Sequence, residues 1–322
     1  MKKTVKIGFA FGIFVLGCVS NAFGLDFPSR PVTLISPYAA GGGNDFVART
    51  VARGVAEVLK QPVVVENRAG ASGTIGLSFV SRAKPDGYTI AMGGIGSIVL
   101  RPAFEGDRMT FNPQKELAPV ALIAKESPVL MVSSSINVKT LPELIALARA
   151  SRVTYGTPGV GTAMHLAGEL MKQVTDVPMV HVPYRGQGAA FSDMLGGTIS
   201  LVFTDVSVAL PYAKSAKVRI IAVAGKERSP LLSDVPTTAE LGYPKLVMEN
   251  WYALYAPLNT PAPIIARLSE AVQAAMALPD VRQAISKTSG LIPLAEGPDA
   301  LQKQTLEDNA KWQPIAAQAR RE

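Results

Sequence analysis

The sequence predicts an α/β protein built as two lobes, with mostly parallel sheets. Three observations predict this class. Short apolar runs alternate with segments of helical periodicity along the whole chain. One arrangement of strand, Gly-rich turn and helix start occurs once in each half. The 322 residues are enough for two domains of ordinary size, and a composition that is 48% hydrophobic and 18% charged can bury a core in each.

The N-terminus reads as a targeting segment. Lys2, Lys3 and Lys6 form a basic region, Ile7 to Val19 is uncharged and mostly apolar, and Ala22-Phe23-Gly24 is a small-x-small cleavage site. Residues 1–24 are therefore expected to be a signal peptide, with the mature chain starting at Leu25 and exported to the periplasm. The apolar run is short for a membrane span, which needs about 20 residues. The single cysteine, Cys18, lies in this segment, so the mature chain is expected to have no disulfide and no thiolate chemistry. Val15-Leu16-Gly17-Cys18 makes a poor lipidation signal because Leu16 is bulky. Removing three lysines from a net charge of +7 leaves about +4. The basic residues are scattered and not interleaved with aromatics, which argues against a nucleic-acid partner.

Val32–Ser36 reads as a strand, and Phe46, Val47, Val51, Val55, Val58 and Leu59 mark one face of a helix. Val63–Glu66 is a strand, Ile75–Ala83 a helix and Tyr88–Met92 a strand, with Pro85-Asp86-Gly87 as a turn. Glu105–Pro119 carries Gly, Pro and Asn and reads as a long loop. Val120–Ala124 and Val129–Val132 are strands, and Thr140 caps a helix over Leu141–Ala150. After the second Gly turn and its helix come strands near Met179–Val182, Ser200–Thr204 and Val218–Val223. Helices near Ala189–Leu195 and Ser207–Lys214 separate them. Pro263–Met276 and Pro298–Gln318 are C-terminal helices expected on the first lobe. A crossing near Ile123–Pro128 and a return near Tyr243–Tyr255 give lobe one as residues 25–124 with 247–322, and lobe two as residues 125–246.

The repeated arrangement carries the chemistry. A helix N-terminus exposes unpaired N–H groups and about half a positive charge. Glycines let an anion approach that backbone closely. The first turn, Gly41-Gly42-Gly43-Asn44-Asp45, either holds a carboxylate on its N–H groups with Asn44 capping the helix, or is a tight turn with an acid set against the helix dipole. The second, Pro158-Gly159-Val160-Gly161-Thr162, offers the same donors, with Thr162 as a ligand hydroxyl or as a cap. Two such turns suggest two lobes closing on one anion. His165 is a ligand donor or a structural histidine, and His181 is expected to pack on its strand. Arg185 either pairs with a carboxylate, bridges the lobes or neutralises Asp205. Asp205 is a helix cap, a water-orienting group or an acceptor for a ligand amine, and Ser97 follows a strand toward the same cleft.

Other chemistries lack their parts. Lys and Ser/Thr do not follow the glycines as a phosphate-binding loop requires, and Gly41-x-Gly43 lacks the third dinucleotide glycine. No Gly-x-Ser-x-Gly elbow or His-Glu-x-x-His motif occurs. No metal or cofactor is expected.

These motifs resemble a known family. Phe27-Pro28-Ser29-Arg30-Pro31-Val32, Glu66-Asn67-Arg68-Ala69-Gly70, Lys84-Pro85-Asp86-Gly87-Tyr88-Thr89, His165-Leu166-x-Gly168-Glu169 and Val182-Pro183-Tyr184-Arg185-Gly186 resemble Bug-type solute receptors of tripartite tricarboxylate transporters, in order along nearly the whole mature chain. The resemblance implies a two-lobed periplasmic-binding-protein fold, type II-like, with a hinge and a ligand cleft. It implies that Tyr38, Ala40, Gly41, Asn44, Asp45, Gly159, Gly161, Thr162, His165 and Asp205 line or shape that cleft. Ala39-Ala40 departs from a family pattern that often carries proline. Members take aliphatic, amino-acid or aromatic carboxylates, so the family does not identify the ligand. The expectation is a monomeric, non-enzymatic receptor that captures a small carboxylate and delivers it to membrane permease subunits. The alternatives are a ligand sensor for a signalling partner and an enzyme acting on a small acid.

Overall fold

The computed structural model describes residues 27–320 apart from 42, 185, 186 and 289. The signal-peptide expectation, Cys18 and Arg185 therefore lie outside the described residues. The strands are β1 (Val32–Ser36), β2 (Val63–Asn67), β3 (Thr89–Gly94), β4 (Leu117–Glu126), β5 (Val129–Ser133), β6 (Val153–Thr157), β7 (Met179–Pro183), β8 (Leu201–Thr204), β9 (Val218–Val223), β10 (Asn250–Pro257) and β11 (Ile292–Glu296). The helices are α1 (Gly43–Leu59), α2 (Thr74–Ser81), α3 (Arg101–Glu105), α4 (Pro113–Glu116), α5 (Leu141–Ala150), α6 (Ala163–Thr175), α7 (Gln187–Leu195), α8 (Val206–Ala209), α9 (Ala262–Ala277), α10 (Pro279–Gln283) and α11 (Pro298–Ala319).

Two sheets form, in the orders β11-β4-β10-β3-β1-β2 and β7-β6-β8-β5-β9. They are mixed rather than mostly parallel. The strand–helix–strand units do give parallel pairs, β1 with β2 and β3, and β6 with β7 and β8. The strands that carry the chain between the sheets pair antiparallel: β4 and β3 with β10, and β5 with β8 and β9. The physical reason is the connection. A parallel neighbour needs a crossover, usually a helix, whereas β4 passes straight into β5 through Ser127 and Pro128, and β10 returns from the second sheet.

The joint is laced by backbone. Ala224 N–H donates to Pro128 O at 2.8 Å, and Met248 N–H donates to Ala224 O at 2.8 Å. The outgoing and returning segments are thus held side by side. Helix α11 packs on β4 and α3 of the first sheet's half and also reaches α6 of the second. Trp251 of β10 is buried and donates its indole N–H to Asp308 of α11 at 2.8 Å. The long loop expected over Glu105–Pro119 contains more structure than its Gly and Pro content suggests. A single turn of helix, α4, is capped by Asn112, whose side chain accepts from Gln114 N–H at 3.1 Å.

Each Gly-turn helix buries one face. Val47, Val51 and Val55 of α1 sit under β1 and against α9, as the 3.6-residue spacing predicts. Thr140 caps α5, accepting from Glu143 N–H at 3.3 Å. On α6, Gly168 lets the Tyr155 ring lie flat on the helix; a Cβ there would overlap that ring, its Cδ2 being 2.6 Å away. Tyr155 is fully buried and its hydroxyl donates to Glu169 one residue on, so it has no free direction in which to move. Gly168→Ala is expected to destabilise the protein by about 1–3 kcal/mol through overpacking. That outcome opposes the gain of about 1 kcal/mol that Gly→Ala gives in an unencumbered helix. Thermal denaturation of the purified variant reads the sign directly.

Candidate functional site

The two Gly turns share one local device. Gly41 has φ +85° and its N–H donates to Asp45 Oδ2, four residues on, at 3.0 Å. Gly161 has φ +74° and its N–H donates to His165 Nδ1, again four residues on, at 3.1 Å. A left-handed backbone favours glycine at both positions. Each turn is therefore tied back onto the first turn of the helix it opens. Of the two readings of the first turn, ligand donor or tight turn, the structure engages the Gly41 N–H inside the turn, and the Gly161 N–H of the second turn is engaged in the same way.

The residues that tie the turns are themselves anchored. Asp45 is buried and receives Arg49 Nε at 3.0 Å and Asn67 Nδ2 at 2.8 Å. Burial alone would raise its pKa, but Arg49, Gly41 and Asn67 outweigh that and hold the carboxyl below its ordinary value. His165 is buried, stacks on His181 with ring centroids 4.1 Å apart, and meets Phe104 edge-on at 5.9 Å. Because Nδ1 accepts from Gly161, the ring proton sits on Nε2, which faces Glu169 at 3.9 Å. Burial, then the neighbouring His165, pushes His181 down to about 4, against the pull of Glu169, so it is neutral at neutral pH.

Between the two turns lies a cleft of about 440 Å³. One half contributes Tyr38, Gly43, Asn44, Ser72, Gly94 and Gly96; the other contributes Pro158, Gly161, Thr162, Ala163, Met164 and Asp205; the returning strand β10 adds Asn250 and Tyr252. Thus Tyr38, Asn44, Gly161, Thr162 and Asp205 come together as the sequence suggested. Ala40, Gly41, Asp45, Ser97, Gly159 and His165 do not line the cleft but stand around or behind it. Ala40 is exposed. Ser97 is buried, its hydroxyl donating to Gly94 O at 3.3 Å. Gly159 O accepts the Thr162 hydroxyl at 2.7 Å. Asn44 lies inside α1 rather than capping it from outside, and its Oδ1 accepts from Ser36 Oγ at 3.1 Å. Thr162 is the cap of α6, accepting from His165 N–H at 3.3 Å.

The groups that face the cleft are the first turns of α1 and α6, Gly43 and Asn44 on one side, Ala163 and Met164 on the other. Helix geometry gives the first N–H groups of each helix no intrahelical acceptor, and both dipoles point their positive ends there. Among the described residues that line the cleft, none is Lys, Arg or His. At the joint end the cleft turns acidic. Glu126, the last residue of β4, is buried, and its Oε1 accepts from Tyr252 Oη at 2.9 Å and Asn250 Nδ2 at 3.2 Å. Asp205 keeps partial exposure to the cleft, while its Oδ1 is closed off from solvent with no hydrogen-bond partner. Burial pushes Asp205 up to about 6. Burial, then the Asp205 charge, pushes Glu126 well above the carboxylate range, against the hydrogen bonds from Tyr252 and Asn250. Sequence reasoning missed Glu126, Asn250 and Tyr252. The only signal was a lone acid closing an apolar strand, and nothing in the order of residues placed it beside Asp205.

Two α/β halves joined by crossing strands, with helix N-termini facing one cleft, define a solute-binding protein of the periplasmic type. More particularly, the chain belongs to the tripartite tricarboxylate transporter receptor family, whose model, "Tripartite tricarboxylate transporter family receptor", matches residues 47–320. It is 30% identical over 305 residues to Protein BugT of Bordetella pertussis, covering 94% of this chain and 93% of that protein. The structure titled "R. palustris Rpa4515 with adipate" matches with a TM-score of 0.81 at 31% identity, covering 91% of this chain and 98% of the other. MatC from Rhodopseudomonas palustris, solved with bound malate, matches with a TM-score of 0.77 at 30% identity, covering 90% and 100%.

The raised acids predict a pH dependence. A carboxyl whose pKa is higher folded than unfolded adds stability below its unfolded value, near 4, and loses it as pH rises through the folded value. For Asp205 that loss falls between pH 4 and about 6. Asp205→Asn, free of ligand, is therefore expected to melt several degrees higher than the parent at pH 8, by an amount on the order of 2–3 kcal/mol. The gain should shrink as pH falls from 6 to 4. Parallel thermal melts across that range check it; a gain that grows toward acid pH has the wrong sign.

Proposed function

We propose that this protein is a periplasmic receptor that captures a small carboxylate between its two lobes and passes it unchanged to the membrane subunits of a tripartite tricarboxylate-type transporter. The observation that carries this reading is that the first turns of two helices, α1 and α6, line one cleft from its two halves. A carboxylate seated there takes backbone N–H groups from both halves, with the two positive dipole ends favouring its charge. Membership of the receptor family, and relatives solved with adipate and with malate, support the same ligand class.

Lobe one is taken as residues 25–124 with 247–322 and lobe two as residues 125–246, with the joint at Ser127-Pro128 and the return before β10. A ligand touching both lobes binds the closed state more tightly than the open one, and that difference drives closure. The receptor works as a monomer. No helix among the described residues is long and apolar enough to cross a membrane. Delivery therefore depends on contact with a permease.

The donors can be tested one N–H at a time. Ala163 is the first residue of α6 after its Thr162 cap, and Thr162 is extended, at φ −79° and ψ 163°. Proline is welcome at that first helical position, where its missing N–H has no intrahelical acceptor, and an extended residue before it is what proline requires. Ala163→Pro is expected to keep the melting temperature of the unliganded protein while weakening carboxylate binding by about 10- to 100-fold. That corresponds to one hydrogen bond to a charged group. Ala163→Val, which keeps the N–H, is the steric control. Calorimetry with the best acid from a thermal-shift panel reads both; equal loss in the two variants would remove the backbone donor from the reading.

A further inference from the structure

Helix α2 carries no charged residue from Thr74 to Ser81, yet it leaves part of its apolar surface open. Leu77 and Val80 are buried, whereas Ile75 is 56% and Phe79 39% exposed. Beside them runs a groove of about 500 Å³, walled by Ile75, Phe79, Thr110 and Phe111 and flanked by Arg68 and Arg82. No acid is among the described residues of its lining. The Arg68 guanidinium lies over the Phe79 ring, 3.6 Å from its centroid, and its Nε donates to Glu66 Oε1 at 2.7 Å, so that charge is answered. Arg82 is exposed and has no side-chain partner among the described residues. The nearby acid Glu116 is engaged elsewhere, accepting from the Ser81 hydroxyl at 3.3 Å and from Asn112 N–H at 2.9 Å.

The groove is held firmly and is tied to the cleft. Gly76 brings α2 down onto the backbone beneath it; a Cβ there would stand 2.9 Å from both Arg68 O and Pro37 Cα. The segment that enters α2 has four consecutive positive φ values, +137° at Gly70, +47° at Ala71, +53° at Ser72 and +95° at Gly73. Two of these residues are not glycine, and such a backbone persists only where its surroundings impose it. Ser72 lines the cleft, and its carbonyl accepts from Tyr38 Oη at 3.3 Å. One short strained segment thus joins the cleft wall to the helix that carries the groove.

We propose that the α2 groove is the docking site for an extracytoplasmic loop of the membrane partner, which presents an apolar side chain to Ile75 and Phe79 and a carboxylate to Arg82. This rests on the delivery reading above and locates it on the surface. Charge complementarity selects the occupant. An arginine beside exposed apolar side chains, with no acid facing it, suits a loop that brings its own carboxylate, which arginine holds in a bidentate pair. A second copy of this chain fits poorly, because a two-fold contact of the patch with itself brings the same unanswered cation to both sides.

The test is photo-crosslinking in cells of the producing bacterium, with Phe79 replaced by p-benzoylphenylalanine. The expected adduct is with an integral membrane protein, through a peptide outside the membrane that contains Asp or Glu. Adding Arg82→Glu should cut its yield at least about tenfold, since it sets like charges together. Arg152→Glu, on an exposed arginine before β6, should leave the yield unchanged. The melting temperature and carboxylate binding of the purified Arg82→Glu protein should match the parent; should that variant not fold, Arg82→Gln takes its place. An adduct only with a second copy of this chain or with lipid overturns the proposal. So does a membrane adduct whose yield is the same with and without Arg82→Glu. When no membrane adduct forms at position 79, the groove is not the docking site, and the same probe at Val208, Leu258 and Leu306 separates the two failures. An adduct from one of those leaves delivery to a permease standing, and none from any position counts against delivery itself.

Discussion

The interaction on which both halves depend is a backbone N–H tied to a side chain four residues ahead. Gly41 reaches Asp45 and Gly161 reaches His165, one using a carboxylate and the other an imidazole for the same purpose. Each tie closes a left-handed turn onto the helix it opens and so fixes the direction in which that helix points. The consequence is spatial. The Gly41 and Gly161 N–H groups are consumed, and the first turns of α1 and α6 that follow them line the cleft. The groups around the ties hold them: Arg49 and Asn67 on Asp45, and the stacked ring of His181 and the edge-on ring of Phe104 on His165.

This arrangement gives the cleft two helix N-termini with which to hold an anion. Dipoles and fixed N–H groups do not move or titrate, so they attract an anion without the desolvation cost of a buried lysine or arginine. The same economy makes the acids at the other end conspicuous. Among the described residues of the wall none is a cation, and the two neutral donors there, Asn250 and Tyr252, both serve Glu126. The electrostatics of the cleft therefore run from positive at the helix ends to negative at the joint, along a path short enough for one small molecule to span.

The sequence disclosed what is local. Periodicity located the helices, the Pro/Gly turns marked the strand ends, and the repeated Gly turn pointed to one cleft shared by two lobes. Tyr38, Asn44, Gly161, Thr162 and Asp205 could be named because they sit in or beside those turns or at a strand end. What could not be read depends on pairing between distant segments. The antiparallel match of β4 with β10 joins Glu126 to Asn250, 124 residues away, and no local pattern encodes that register. The ties of the Gly41 and Gly161 N–H groups were illegible for a different reason. The sequence shows an acid and a histidine at the fourth position, but not that their side chains turn back on the glycine. Glu105–Pro119 reads as a long loop because it carries Gly, Pro and Asn, yet proline after Asn112 starts a capped helical turn as readily as it breaks one.

The acidic corner sits on the strands that join the two sheets, and this position has a mechanical meaning. Glu126 ends β4 one step before the crossing at Ser127-Pro128, while its donors Asn250 and Tyr252 open the returning strand. Asp205 follows β8 on the second sheet. A ligand that reaches from the helix ends to Asp205 thus touches both halves and the joint between them. Binding energy gained at the joint counts toward closure only if the contact is better closed than open. A polar contact is well suited to that requirement, because its interaction with Asp205 strengthens as the closing lobes exclude water and the surrounding dielectric falls. An apolar contact of the same size gains far less from the same displacement. Among the described residues Asp205 Oδ1 is a buried acid oxygen without a hydrogen-bond partner, and its place between the two sheets would couple a contact made there to lobe closure.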